Sequence, residues 1–291
     1  MAQPLWRRLS LEARAADAEP ARALLNDVLG VPIALEQREA SRFVTASAFV
    51  RDGARALALF ENLRRRLKSL QSESILRGAS LSHARVAERD WAAEMKRHYR
   101  PLRLAAGVWI APSWARSFRP PGDADVLWLD PGMAFGTGRH ATTAAAADML
   151  LARIAPGDVV IDAGCGSGIL ALAATQRAAH AYAFDEDPVA VRVANDNFTA
   201  NALRARALVR AGTVPKAFPR AAFIVANITA EVLQKMARSF AAKLSRGGYL
   251  ISSGITARGR LATLAAFAQA GLDFVSERRR GLWFAYEHRK S

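Results

Sequence analysis

The sequence predicts an α/β protein. A Rossmann-like, mostly parallel sheet ends in an antiparallel C-terminal hairpin and is preceded by a smaller α+β module of ferredoxin-like order. Three observations carry this. Val159–Gly168, VVIDAGCGSG, is a short run apolar on both faces that ends in a carboxylate and alternating glycines, just before the helix-forming ILALAATQ. Apolar runs of strand length then alternate with helical stretches, as in crossover units. Finally, Leu272–Arg278 and Leu282–His288 are strand-like and too close together for a crossover helix, so they form an antiparallel hairpin.

At 291 residues the chain is long enough for two domains, and 51% hydrophobic residues suffice for packed cores. The single cysteine, Cys165, excludes an internal disulfide and any cysteine-based zinc cluster, and no metal site is expected. Between two turn glycines it reads as a small filler rather than a nucleophile. No apolar run approaches the roughly 18 residues that span a bilayer, and MAQPLWRRLS lacks a signal peptide's apolar core. A cytoplasmic protein without membrane contact is expected. The net charge of +15 allows a nucleic-acid-facing surface, but solvated arginines explain it as readily. The triplets Arg64-Arg65-Arg66 and Arg278-Arg279-Arg280 lack the interleaved aromatics of a base-stacking platform, so sequence-specific nucleic-acid binding is not expected.

In chain order, residues 5–13 alternate as a half-buried strand. EPARALLNDVL, Glu19–Leu29, reads as a helix with proline in its first turn and Gly30 after its end. Ile33–Arg38 and Phe43–Val50 alternate, Ala54–Leu70 is an amphipathic helix, and a last strand lies near Leu81–Ala87. The order βαββαβ predicts the ferredoxin-like module over residues 1–86. Nothing in it looks catalytic, and His83 reads as a surface histidine. Residues 87–100 read as a helical linker that stops before Pro101, and residues 101–291 as the second domain. There, Pro101–Trp114 and Val126–Pro131 are strand-like, with a turn at Pro120–Asp123.

In GMAFGTGRHATT, Gly132–Thr143, glycines let the loop turn sharply. Thr142 and Thr143 stand where a helix starts and are expected to cap it. His140, with no acidic partner beside it, suits loop packing as well as general-base duty. After the glycine turn, His180–Phe184 is a second strand ending at Asp185, which is 185 − 164 = 21 residues beyond Gly164. About that distance separates the glycine turn from the carboxylate that accepts ribose hydroxyls in nucleoside-binding folds. A helix from Pro188, a strand at Ala207–Arg210, the strand Ala222–Ile228 carrying Asn227, a helix Ala230–Leu244, the strand YLISSG opened by Gly247-Gly248, and a helix Ala257–Gly271 complete the series.

The ligand follows from two features. GCGSG departs from the pyrophosphate-binding pattern GxGxxG, and a plain dinucleotide fold would continue with parallel strands rather than a hairpin. A sheet ending in a hairpin is the arrangement of class I methyltransferases, which use S-adenosyl-L-methionine. A basic RNA-binding protein with a vestigial cofactor fold is the contrasting reading, which the set Thr143, Gly164, Asp185 and Asn227 argues against.

LDPGMAFGTGRHATT, VIDAGCGSGILALAA, AFDEDP and VANITA together resemble the PrmA family of bacterial methyltransferases acting on large-subunit ribosomal protein eleven. Residues 88–114 also resemble that family's linker and the start of its catalytic domain. The resemblance implies an N-terminal substrate-recognition domain and S-adenosyl-L-methionine as methyl donor. It further implies N-methylation of lysine side chains and an α-amine of that ribosomal protein, free or on the ribosome. A related methyltransferase of another protein's lysine is the alternative. Cofactor contacts carry over to Thr143, Gly164, Gly166, Asp185 and Asn227, with Phe135 and Gly136 lining the same cleft and Asn227 also placed to position the amine. Arg139 and Ala141 stand where the family usually has threonine and proline. A monomer is expected.

Overall fold

The computed structural model describes residues 5–29, 31, 33–36, 41–87, 99–130, 138, 140–177 and 179–291. The described residues separate into two compact units, one on each side of the Arg100–Pro101 junction. Most of the expected linker, 87–100, lies outside the described residues.

The N-terminal unit contains β1 (Leu5–Arg14), α1 (Ala18–Leu29), β2 (Ile33–Glu36), β3 (Phe43–Arg51), α2 (Ala54–Ser72) and β4 (Ser80–Ala87). Its strands form an antiparallel sheet in the order β2-β3-β1-β4, which is the ferredoxin-like arrangement. Alternation decides what is buried. Leu9 and Leu11 of β1 and Ala46 of β3 face Leu24 and Leu25 of α1 and Leu63 and Leu67 of α2. Asp52 joins the strands electrostatically, 2.6 Å from Arg7 Nε and 2.9 Å from Arg85 Nε. The hydrogen bond from Arg7 holds its carboxyl below the usual carboxylate range. His83 lies at the surface and is tied down there: Arg7 Nη1 is 2.6 Å from its Nδ1, and its ring meets Phe60 edge-on.

The second unit begins with a small sheet of β5 (Leu102–Ala105), β6 (Val108–Ala111) and β7 (Asp125–Trp128). Its main sheet has seven strands in the order β10-β9-β8-β11-β12-β14-β13. These are β8 (Val159–Ala163), β9 (His180–Asp185), β10 (Ala207–Ala211), β11 (Ala221–Asn227), β12 (Leu244–Thr256), β13 (Leu272–Arg280) and β14 (Trp283–Lys290). β14 alone runs against its neighbours, wedged between β12 and β13. The hairpin is therefore not a simple edge addition. β13 takes the outer position and β14 returns inside it.

Both faces of the sheet are covered, which explains the near-continuous apolar strands. Val160, Phe223, Val225 and Ile251 face α3 (Ala141–Leu151), α4 (Ile169–Gln176) and α5 (Pro188–Ala200). Their neighbours Ile161, Ile224, Ala226 and Leu250 face α6 (Ala230–Lys243) and α7 (Ala257–Gln269). β12 starts at Leu244, earlier than the Gly247-Gly248 pair suggests, and pairing resumes after a register shift at that pair.

Candidate functional site

The switch in strand order lies at β8, which has β9 on one side and β11 on the other. Ligands of open α/β sheets bind beyond the carboxyl ends at such a point. Asp185 and Asn227 close β9 and β11 there, beside the turn that follows β8.

Gly164, Gly166 and Gly168 have φ of 67°, 53° and 77°, a left-handed conformation that disfavours any residue with a Cβ. Space imposes the same choice. A Cβ on Gly164 would stand 2.4 Å from Ile228 Cγ2, and one on Gly168 would stand 3.0 Å from Ala194 Cβ. The turn is anchored to β9 by the Gly164 and Cys165 N–H groups, which donate to the Phe184 carbonyl at 2.9 and 3.1 Å. Cys165 is a buried filler whose thiol burial pushes up, away from thiolate chemistry.

Asp185 is held by two backbone donors, Gly166 N–H to Oδ2 and Asp187 N–H to Oδ1, both at 2.9 Å. A carboxylate oxygen accepts about two hydrogen bonds, so each keeps one acceptor position. That is the requirement for receiving a pair of vicinal hydroxyls. Asp187 then caps α5 by accepting the Val189 N–H at 2.8 Å.

On the other side, α3 carries Thr143 toward β11. Asn227 Nδ2 donates to Thr143 Oγ1 at 3.1 Å across 84 residues of sequence. With its nitrogen engaged, Asn227 retains Oδ1 as an acceptor. The expected threonine cap is corrected here. His140 caps α3, its Nδ1 accepting the Thr142 N–H at 3.4 Å and lying 2.7 Å from Thr142 Oγ1. The preceding residue can keep extended backbone while its ring nitrogen turns back over the first turn. Both threonines are already inside the helix and buried. Ser253 Oγ donates to Thr142 O at 3.0 Å, so β12 also pins this turn. His140 meets Trp283 edge-on, with ring centroids 5.0 Å apart.

Among the predicted residues, Thr143 and Asn227 are joined directly, and Gly166 is joined to Asp185. Gly164 packs on the residue that follows Asn227. Phe135 and Gly136 lie outside the described residues, as does Arg139. Gly138 is described and packs inward, since a Cβ there would stand 2.7 Å from Ile169 Cδ1. No group of three His, Cys, Asp or Glu side chains suited to a metal ion occurs among the described residues.

Two residues escaped the sequence reading. Asp162 is 1% exposed, and its Oδ2 accepts the Ala171 N–H at 3.0 Å under the glycine turn. Burial, aided by the charge of Asp185, pushes its carboxyl up to about 7. A carboxylate at a strand end was visible, but not that α4 would fold over it. Asn197 donates to Ser167 O at 2.9 Å, bracing the turn from α5, and no spacing signal marks it.

The comparisons agree with this geometry. A family model described as ribosomal protein L11 methyltransferase (PrmA) matches residues 5–291. The ribosomal protein L11 methyltransferase of Chloroflexus aurantiacus is 39% identical over 231 residues, 70% of either chain. That of Lactococcus lactis subsp. lactis is 33% identical over 251 residues, 86% of this chain and 79% of the relative. Among solved structures, the ribosomal protein L11 methylase of Lactobacillus delbrueckii subsp. bulgaricus aligns with a TM-score of 0.62 at 28% identity. It covers 66% of this chain and 100% of that one.

Proposed function

Because this chain belongs to the ribosomal protein L11 methyltransferase family, we propose that it methylates ribosomal protein L11, on lysine side chains and an α-amine, with S-adenosyl-L-methionine as donor. The observation that carries this reading is the convergence of Asp185, Asn227 and Thr143 on the glycine turn at the switch point of the sheet.

The residues fit that donor. The turn offers side-chain-free backbone, and Asp185 has acceptor positions for two ribose hydroxyls. When bound, the donor would supply a sulfonium methyl group to the lone pair of an amine, the thioether leaving in line with the attack. The protein's task is then alignment and exclusion of water, with no general acid required. An amine must first give its proton to solvent, because lysine is protonated near pH 7. Desolvation at the strand ends favours that loss. Asn227 Oδ1 accepts from a remaining amine N–H and aims the lone pair, while Thr143 fixes the amide plane.

Residues 1–86 serve as the substrate-recognition module, 87–100 as the helical linker and 101–291 as the methyltransferase domain, working as a monomer in the cytoplasm. Incubating the full protein with labelled S-adenosyl-L-methionine and L11 lacking the modification should place label on lysine and α-amino nitrogens of L11. Label on another protein, or none, would overturn the reading. Asn227→Ala should lower kcat about tenfold or more, ~1.4 kcal/mol of barrier, with less effect on donor affinity.

A further inference from the structure

We infer a nucleotide-binding site on the outer face of the small β5-β6-β7 sheet, built to take one nucleotide of a single-stranded RNA by stacking and charge. Strand pairing sets the face. Arg103 of β5 stands opposite Trp109 of β6, Trp109 opposite Val126 of β7, and Ala111 opposite Trp128. The alternate residues Leu104, Val108, Ile110 and Leu127 point into the core, so the arginine and both tryptophans point out.

A cavity of about 420 Å³ opens beside this face, lined by Arg103, Gly107, Trp109, Asp123 and Arg177 among others. That volume lies within the range of small-molecule sites. Among the described residues each of its two guanidiniums is placed by one hydrogen bond, Arg103 Nε to Ala105 O at 3.3 Å and Arg177 Nη2 to Ala106 O at 3.2 Å. A guanidinium has five donors, so most of those on each side chain stay available for a ligand. Arg177 reaches this position because residue 107 is glycine. A Cβ there would stand 2.7 Å from Arg177 Nη2, at a φ of 70° that also favours glycine.

Each part of a nucleotide has a counterpart. The paired arginines suit a phosphate diester. The half-buried Trp109 ring gives a base a stacking surface, with the Phe118 ring centroid 5.3 Å away and tilted by 50°. Asp123, the single carboxylate among the lining residues, accepts from a base amino or imino group. The surface continues to Trp128, with the Arg116 guanidinium 4.3 Å from its ring centroid. Aromatics and arginines therefore interleave in space, although neither arginine triplet shows this in the sequence. Stacking and phosphate contacts read no base sequence.

The test measures binding of fluorescein-labelled oligo(U), a dozen nucleotides long, to the full protein by anisotropy. The double variant R103Q/R177Q should bind about tenfold or more weakly, given the strength of hydrogen bonds to charged groups. It should also flatten the log-log salt dependence by about 0.7, the value for one phosphate of a single strand. The control R64Q/R65Q/R66Q removes one more charge, in the other unit, and should lose less than about threefold. R103Q/R177Q should methylate purified protein substrate at the parent rate. Uridine monophosphate separates the sources: displacement at equal concentration identifies a free nucleotide, and failure to displace identifies the strand. Equal loss in both variants, unchanged binding in R103Q/R177Q, or no binding by the parent protein would overturn the site.

Discussion

Asp185 and Asp162 stand near each other with opposite fates. Asp185 is half-buried and served by two N–H donors, so it is a ready anionic acceptor. Asp185→Ala should weaken S-adenosyl-L-methionine binding about tenfold or more by calorimetry, from the ~1.5–3 kcal/mol of hydrogen bonds to a charged group. Unchanged affinity would remove it from the site. Asp162 is sealed under α4 with its carboxyl pushed up to about 7. Between its ordinary 3.8 and about 7 the folded state binds the extra proton. Stability contributed by this group is therefore present at low pH and lost as pH rises through that window. Asp162→Asn should remove this loss, seen as an unfolding free energy that rises with pH more than the parent's between about 4 and 7. The residue type of Asp185 and its distance from Gly164 were legible in the chain. The role of Asp162 was not, because it depends on which helix covers the strand end.

At the scale of elements, one contact holds the edge of the site and another sets the response of the sheet to pH. α3 begins at a histidine that no propensity rule nominates, and its first turn carries Thr143. His140→Ala should cost about 1 kcal/mol as a lost cap. It should also raise the KM for the methyl donor, a readout that general destabilisation would leave alone. In β14, His288 sits 1% exposed against Phe267, Phe274 and Tyr286, and burial lowers its pKa to about 4. Asp273 and Glu287 raise it only in part. Here the unfolded chain binds the extra proton, so stability falls as pH drops from about 6.5 towards 4. His288→Phe should abolish that fall in urea titrations, and the opposing slope from Asp162 makes each variant necessary to read the other. Strand and helix positions were read well wherever an apolar period was long, as in β8 and α6. They slipped at Leu244, where a register shift lets the strand begin before its glycines.

For the whole molecule, separate cores make the two units separable. Leu9, Leu25 and Leu63 centre one, and the seven-stranded sheet organises the other. A chain starting at residue 87 should retain donor binding by calorimetry and lose methylation of L11. Normal L11 methylation by that truncated chain would dismiss the N-terminal module as the substrate domain. The module's topology was legible because its six elements are short and strongly patterned. The position of β14 was not, since a hairpin in sequence does not say which of its strands faces the sheet.

That position has a consequence for assembly. β13 has one sheet neighbour, β14, and β14 must also pair with β12. During synthesis β13 leaves the ribosome before the strand that gives it a place. At ordinary elongation rates of about 5–20 residues per second the interval is brief, yet Phe274, whose partner is His288, stays unpaired throughout it. The order of emergence is thus the reverse of the order of docking. The outer edge of the sheet is completed from the inside, β14 on β12 and then β13 on β14.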